Sequence, residues 1–273
     1  MSKTSIEWSE VTWNPVTGCS RTSPGCDICY AMTMAARLKA MGSAKYQNDG
    51  EPPLSGPGFG VTLHPDVVEE PLRWRKPRTV FVNSMSDLFH PEIPDEFICR
   101  VFDVMAQAER HTFQVLTKRS QRMASLTNDR LATPEEVDDG YELGIYPSVW
   151  DIASSGIPTR NVWLGVSIEN DRYTFRANHL RGTSAAVRFL SLEPLLGPLP
   201  SLDLNDIDWV IVGAESGRGA RPMDEGWVRD IRDHCVERDI PFFYKQRATP
   251  SGHKVPLPDL DGRVWNQMPE RMP

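Results

Sequence analysis

Seven short stretches rich in β-branched and aromatic residues recur along the chain, and most are apolar at every position rather than at alternate ones. They are GVTLH (60–64), TVFVNS (79–84), TFQVLTK (112–118), NVWLGVSI (161–168), AVRFLSLEP (186–194), DWVIVGAES (208–216) and IPFFYKQ (240–246). A strand apolar on both faces must be covered on both, which is the condition of a parallel sheet packed between layers. Helical spacing fills the intervals. Tyr30, Met34, Leu38 and Met41 share one stripe that Gly42 stops; Ile93, Phe97, Val101 or Phe102, and Met105 form another; Tyr173, Ala177 and Leu180 a third; Trp227, Ile231 and Cys235 a fourth. Asp95 or Pro94, Asn170 or Asp171, and Asp224 stand where N-caps belong. Strand–helix alternation of this kind predicts right-handed βαβ units and an α/β fold. No Gly-rich phosphate loop follows any of the strands, which turns the expectation from an open dinucleotide-binding sheet to a full or partial (β/α) barrel of about six parallel strands. We expect a single domain over residues 1–273, with the Pro- and Gly-punctuated segment 127–160 as a decoration on one β/α unit.

Charge and cysteine usage exclude several classes. The 37 acidic and 30 basic residues leave a net charge of −7, a poor footprint for sequence-independent nucleic-acid binding. RWRKPR (73–78) is the dense basic run, and it reads as a solvated loop before a strand or as a groove contact. No apolar run reaches the ~18 residues of a membrane span, and MSKTSIEWSE at the N-terminus lacks an apolar signal segment. A cytoplasmic location, with reduced thiols and no membrane partner, is therefore expected. Five cysteines, an odd number, suit a disulfide framework badly.

Three of those five fall in NPVTGCSRTSPGCDICYA (14–31), as Cys19, Cys26 and Cys29. Clustered cytosolic cysteines are metal ligands or redox groups. A structural zinc site wants four ligands and is closed, whereas Cys99 and Cys235 lie mid-pattern in helices and read as small core residues. The loop thus supplies three thiolates and leaves one position open, as in a [4Fe–4S] cluster with one iron free. Asn14-Pro15, Gly18 and Pro24-Gly25 free backbone N–H groups to face sulfur. A helix starting near Cys29 aims the favourable end of its dipole at an anionic group. Tyr30 is placed to shield such a centre and Trp13 to wall it.

In a parallel β/α barrel, chemistry collects at the C-terminal strand ends. The residues there are polar in every case: Asn83, Ser84, Ser86 and Asp87; Thr117, Lys118 and Arg119; Ser167, Glu169 and Asn170; Ser191 and Glu193; Glu215 and Ser216; Lys245 and Gln246. His90 is a possible fourth ligand or acid/base, with a core or surface role as the alternative. No H-x-H or H-E-x-x-H occurs, which disfavours a metal-dependent hydrolase.

A three-cysteine loop near the N-terminus, with C-x2-C followed by an aromatic residue and a helix, resembles the radical S-adenosylmethionine (SAM) enzymes, although the spacing here is C-x6-C-x2-C where C-x3-C-x2-C is usual there. NPVTGC…GCDICYA is also similar to a segment of spore-photoproduct-lyase-like proteins. Across nearly its whole length the chain is identified as a member of an uncharacterised phage- and prophage-associated three-Cys-motif family, through IEWSEVTWNPVTGC, SPGCDICYA, EPLRWRKPRTVFVNSMSDLFH, FQVLTKR, NVWLGVSIEN, FLSLEPLLGPL, WVIVGAESG and PFFYKQ. These resemblances imply a radical-SAM-like fold, a [4Fe–4S] cluster on Cys19, Cys26 and Cys29, and SAM on the open iron. Lys118 would meet the SAM carboxylate, since LTK resembles the corresponding strand end in the photoproduct-lyase group. Ser86 or Asp87 would reach the amine, and Ser167, Glu193 and Glu215 the ribose or the substrate, with Asp87, Glu193 and Glu215 as the catalytic set. A nucleobase or nucleic acid is the implied substrate. The alternative is a zinc- or cluster-binding interaction protein without SAM chemistry, with a phage- or host-encoded protein partner.

Overall fold

Seven strands run parallel, side by side, in the order in which the chain makes them. They are β1 (Val11–Trp13), β2 (Thr79–Val82), β3 (Thr112–Thr117), β4 (Val162–Ser167), β5 (Val187–Leu192), β6 (Trp209–Gly213) and β7 (Phe242–Ala248). The helices are α1 (Tyr30–Ala40) after β1, α2 (Asp95–Gln107) after β2, α3 (Ser120–Asn128) after β3, α4 (Phe175–Arg181) after β4 and α5 (Glu225–Glu237) after β6. The computed structural model describes residues 2–4, 6–128, 160–215, 217, 219–249, 251 and 253–270; the decoration expected at 127–160 lies, but for its ends, outside them. Two short strands, Ser2–Lys3 on β1 and Lys254–Pro256 on β7, add antiparallel edges, so the nine-stranded sheet does not close on itself. The fold is α/β, a partial (β/α) barrel. No helix among the described residues is long and apolar enough to cross a membrane.

Consecutive neighbours with one crossover hand put every helix on the same face of the sheet. The core divides accordingly. Val80, Val82, Phe113, Val115, Leu164, Val166, Val210 and Val212 pack with helix residues such as Ile98, Val101, Met105, Leu180 and Ile231. The alternate strand positions make a second, helix-free cluster on the other face: Phe81, Trp163, Val187, Phe189, Trp209, Ile211 and Phe243, stoppered by Trp8. Gly165 admits this layer, because a Cβ there would stand 2.4 Å from the Phe189 ring. The same two-residue period carries Ser167, Ser191 and Lys245 to the C-terminal half of that face, above an aromatic floor.

Three expectations need correction. Thr62–Leu63 is a strand, but it pairs antiparallel with Val16–Thr17 in a separate ribbon and takes no part in the barrel. The barrel's first strand is VTW, three residues long and too short to show a period. On α1 the buried face is Ala31 and Ala35, while Tyr30 is 56% and Met41 80% exposed; small residues let the helix lie close to Phe59 and Met85. Six of the seven expected strands, the four expected helices (α1, α2, α4 and α5) and the caps Asn170 and Asp224 lie where the periodicity puts them, whereas α3 was not expected. Residues 73–78 precede β2, at its N-terminal end, away from the polar strand tips.

Candidate functional site

The cysteine loop spans from β1 to α1 and is tied down residue by residue. Gly18 has a φ of +87°, and a Cβ on it would fall 2.1 Å from the Gly60 carbonyl, so the position before Cys19 takes only glycine. The Gly18 N–H donates to Met85 O, the Cys19 N–H to Phe59 O, and the Ser55 hydroxyl to Cys19 O. Asn14 Oδ1 accepts from the Met85 N–H and the Ser84 hydroxyl, each at 3.2 Å. Pro24–Cys26 forms one 3-10 turn, and Cys29 is the N-cap residue of α1.

The strand ends grip this loop from below. Arg119, after β3, donates from Nη1 to Cys19 Sγ (3.4 Å) and from Nη2 to Ser20 O and Oγ (3.0 Å each). Glu169, after β4, accepts the Gly25 N–H at 3.4 Å. Arg221, after β6, donates to Pro24 O at 2.8 Å and faces Asp27. A Cβ on Gly25 would lie 3.2 Å from Lys118 Cε, 3.3 Å from Pro194 Cδ and 3.4 Å from Glu169 Cδ, so the turn sits on the rim itself. All three cysteines are free and partly exposed.

Charge separates the three thiols. Burial, then the Asp87 carboxylate, pushes the Cys19 thiol up to about 12 against the pull of Arg119. Burial likewise raises Cys29. Cys26 is also pushed up by burial, but the Lys118 charge, the backbone of Thr22 and Ser23 and the Thr22 hydroxyl outweigh it and leave its pKa below the ordinary value. Cys26 is therefore the first of the three to become a thiolate.

A family model described as a protein of unknown function (DUF5131) matches residues 3–269. The chain belongs to the DUF5131 family. No curated protein matches it. Among solved structures, it is similar to a double mutant of spore photoproduct lyase with bound AdoMet and a dinucleoside spore photoproduct, at 13% identity and a TM-score of 0.40 over 82% of this chain. The DUF5131 chain covers 60% of that structure's chain.

The six sites expected from the sequence do not share one setting in the DUF5131 protein. Lys118 is beside Cys26, and its ammonium has no hydrogen-bond or acidic partner among the described residues. Ser167 ends β4 on the floor-facing side, buried, with its carbonyl taken by Arg176 Nη1. Glu193 meets Lys245 Nζ with both oxygens at 2.7 Å across the barrel mouth, close against Gly213. The other three are spent on architecture. Asp87 accepts from the Phe89 N–H, the Thr117 hydroxyl, the Lys118 N–H and Arg119 Nη1. Glu215 is clasped by Arg221 through Nε, Nη2 and the backbone N–H. The Ser86 hydroxyl donates to Val16 O.

Trp13 does not wall the loop. It is buried against Phe113, with its Nε1 donating to Val67 O. Tyr30 donates its hydroxyl to Ser84 O, and His90 Nε2 meets Ser20 Oγ at 2.7 Å rather than a cysteine. Arg119 and Glu169 were expected at the strand ends but given no role, and Arg176 and Arg221 were not expected at all. Arg221, in a loop after β6, carried no signal.

No three His, Cys, Asp or Glu side chains among the described residues converge closely enough to hold a single metal ion. A cubane makes a different demand, because its three thiolates bind three different irons and need not meet at a point. Three free thiols on one loop, with Lys118 and Arg119 facing them as countercharges, are a donor set that fits an anionic iron–sulfur cluster.

Proposed function

We propose that this protein is a radical SAM-type iron–sulfur enzyme, in which Cys19, Cys26 and Cys29 hold a [4Fe–4S] cluster and leave one iron open for S-adenosylmethionine. The observation that carries this reading is the docking of the three-thiol loop on the C-terminal rim of a parallel partial barrel, with Lys118, a cation unpaired among the described residues, beside Cys26. When bound, the cluster and SAM supply one-electron reduction of a sulfonium and, from it, hydrogen abstraction by a carbon radical.

The chain's own residues do the rest. Lys118 binds the SAM carboxylate as a charge-assisted donor. Ser167 offers a hydroxyl to the ribose or substrate. Glu193, held by Lys245, presents a fixed carboxylate to the barrel mouth. Asp87 and Glu215 act at one remove, orienting Arg119 and Arg221, which in turn hold the loop. The aromatic layer from Phe81 to Phe243 closes the base of the mouth to water. The similarity of NPVTGC…GCDICYA to spore-photoproduct-lyase-like proteins makes a nucleobase or nucleic acid the substrate class in this proposal.

The test is anaerobic purification, reconstitution with iron and sulfide, and assay of iron, sulfide and zinc, followed by reductant and SAM with detection of deoxyadenosine. Four irons per chain and deoxyadenosine formation support the proposal. Stoichiometric zinc without iron would replace it with the interaction-protein reading, and a cluster whose EPR spectrum ignores SAM would remove SAM from it.

A further inference from the structure

Arg119 is held on several sides at once. It is 11% exposed at its side chain and pairs with Asp87 Oδ2 at 3.2 Å. Asp87 is itself fixed by Thr117 Oγ1 at 2.7 Å and by the Phe89 and Lys118 N–H groups. The Arg119 N–H donates back to Thr117 Oγ1 at 2.8 Å, so strand end, carboxylate and guanidinium form one closed unit. Nη2 takes both oxygens of Ser20, whose hydroxyl also meets His90. With those partners satisfied, Nη1 still directs a hydrogen bond at Cys19 Sγ. A neutral thiol is a weak acceptor; a full positive charge in this position gains most when the sulfur carries negative charge.

We infer that Arg119 tunes the reduction potential of a cluster bound at this loop, acting through Cys19; the inference rests on the cluster reading above. Reduction takes one electron from an external low-potential donor, adds one negative charge to the cluster and breaks no bond, and Arg119 keeps its proton throughout. Hydrogen bonds to ligand sulfur and low solvent exposure are among the protein's controls on cluster potential, and a part-buried charge is weakly screened. Arg119 therefore stabilises the reduced state over the oxidised one and raises the potential. It is a positioning and tuning residue, not a catalytic one. Lys118, close to Cys26 and without a side-chain partner among the described residues, is left for a ligand.

The experiment is an EPR-monitored redox titration of the reconstituted full-length protein, wild type against Arg119→Gln and Arg119→Lys, with iron and sulfide measured on each. Arg119→Gln with full iron content should become roughly tenfold harder to reduce, a downward shift of about 59 mV for one electron, and Arg119→Lys should fall between it and wild type. An unchanged potential in a fully loaded Arg119→Gln overturns the inference. If Arg119→Gln holds no iron, Arg119→Lys decides: a potential below wild type supports the inference and an equal one overturns it. Loss of iron in both variants while wild type loads makes Arg119 a structural clamp and overturns it too. A wild-type protein that takes up no iron sinks the cluster reading itself, an outcome visible before any variant is compared.

Discussion

Glu169 accepts the backbone N–H of Gly25 from 144 residues further along the chain, while its second carboxylate oxygen takes Arg176 Nη1 at 3.0 Å. The pair is almost wholly out of solvent, at 0% and 3% exposure. Arg176 also donates to Ser167 O and lies over the Tyr173 ring. One buried carboxylate thus joins the stability of the β4 end to the placement of the cysteine loop. Glu169→Gln keeps the shape but strands the Arg176 charge, and removing one member of a buried pair costs about 3–5 kcal/mol. Urea unfolding of the unloaded protein should show that loss. A change below about 1 kcal/mol, within the range of an exposed pair, would mean that the pair does not anchor the rim.

The cysteines should divide into two classes. Cys26→Ala is expected to abolish cluster retention after anaerobic reconstitution. Cys99→Ala, on α2, and Cys235→Ala, buried on α5, should retain wild-type iron and sulfide. Cys235→Ala should show only a packing cost in thermal melting, since its thiol is pushed up to about 12 by burial and stays protonated. Equal iron loss in Cys26→Ala and Cys99→Ala would reassign the ligands.

Lys118→Met is expected to load iron normally and to bind SAM more weakly. A hydrogen bond to a charged group contributes about 1.5–3 kcal/mol, which corresponds to roughly a 10- to 150-fold rise in Kd. SAM titration of the cluster's EPR signal reads this directly. Unaltered SAM affinity would take the carboxylate away from Lys118.

Three histidines make the unloaded protein acid-sensitive. His64, His90 and His111 all have pKa values below the ordinary one, each with burial as the largest cause; His90, also facing Arg119, is lowered to about 4. The unfolded chain takes up these protons as the pH falls through about 6.5, and the folded chain does not until lower pH. The unfolded state then binds more protons, so stability is full above about 6.5 and declines as the pH falls toward 4. His90 alone should contribute a loss of about 2 kcal/mol by pH 5. Urea midpoints at pH 7.5 and pH 5 measure it, and His90→Gln should flatten the difference. Equal midpoints in the wild type would contradict the neutral, buried histidines.

Strands β2 to β7 were legible because each is a continuous apolar run bounded by polar turns, and burial on both faces leaves that trace in any sequence. VTW was not, because three residues carry no period. GVTLH was misassigned because a two-residue ribbon and a barrel strand look alike over so short a span. The cysteine loop was legible from spacing alone, as were Lys118, Glu193 and Glu215 as strand-tip groups. Their partners were not. Glu193 meets Lys245 across 52 residues, Asp87 meets Arg119 across 32, and Glu215 is clasped by Arg221 from an unmarked loop.

By itself, the sequence determined the alternation of strands and helices, the helix caps and the grouping of three thiols before α1. These depend on side-chain period and on neighbours a few residues apart. Only the tertiary structure decided which charges stand alone and which are consumed. The curl of the sheet brings distant strand tips within ion-pair range, so that Asp87, Glu169, Glu193 and Glu215 each meet a cation. That is why Asp87 and Glu215 became braces for the loop while the Lys118 ammonium beside Cys26 has no partner among the described residues.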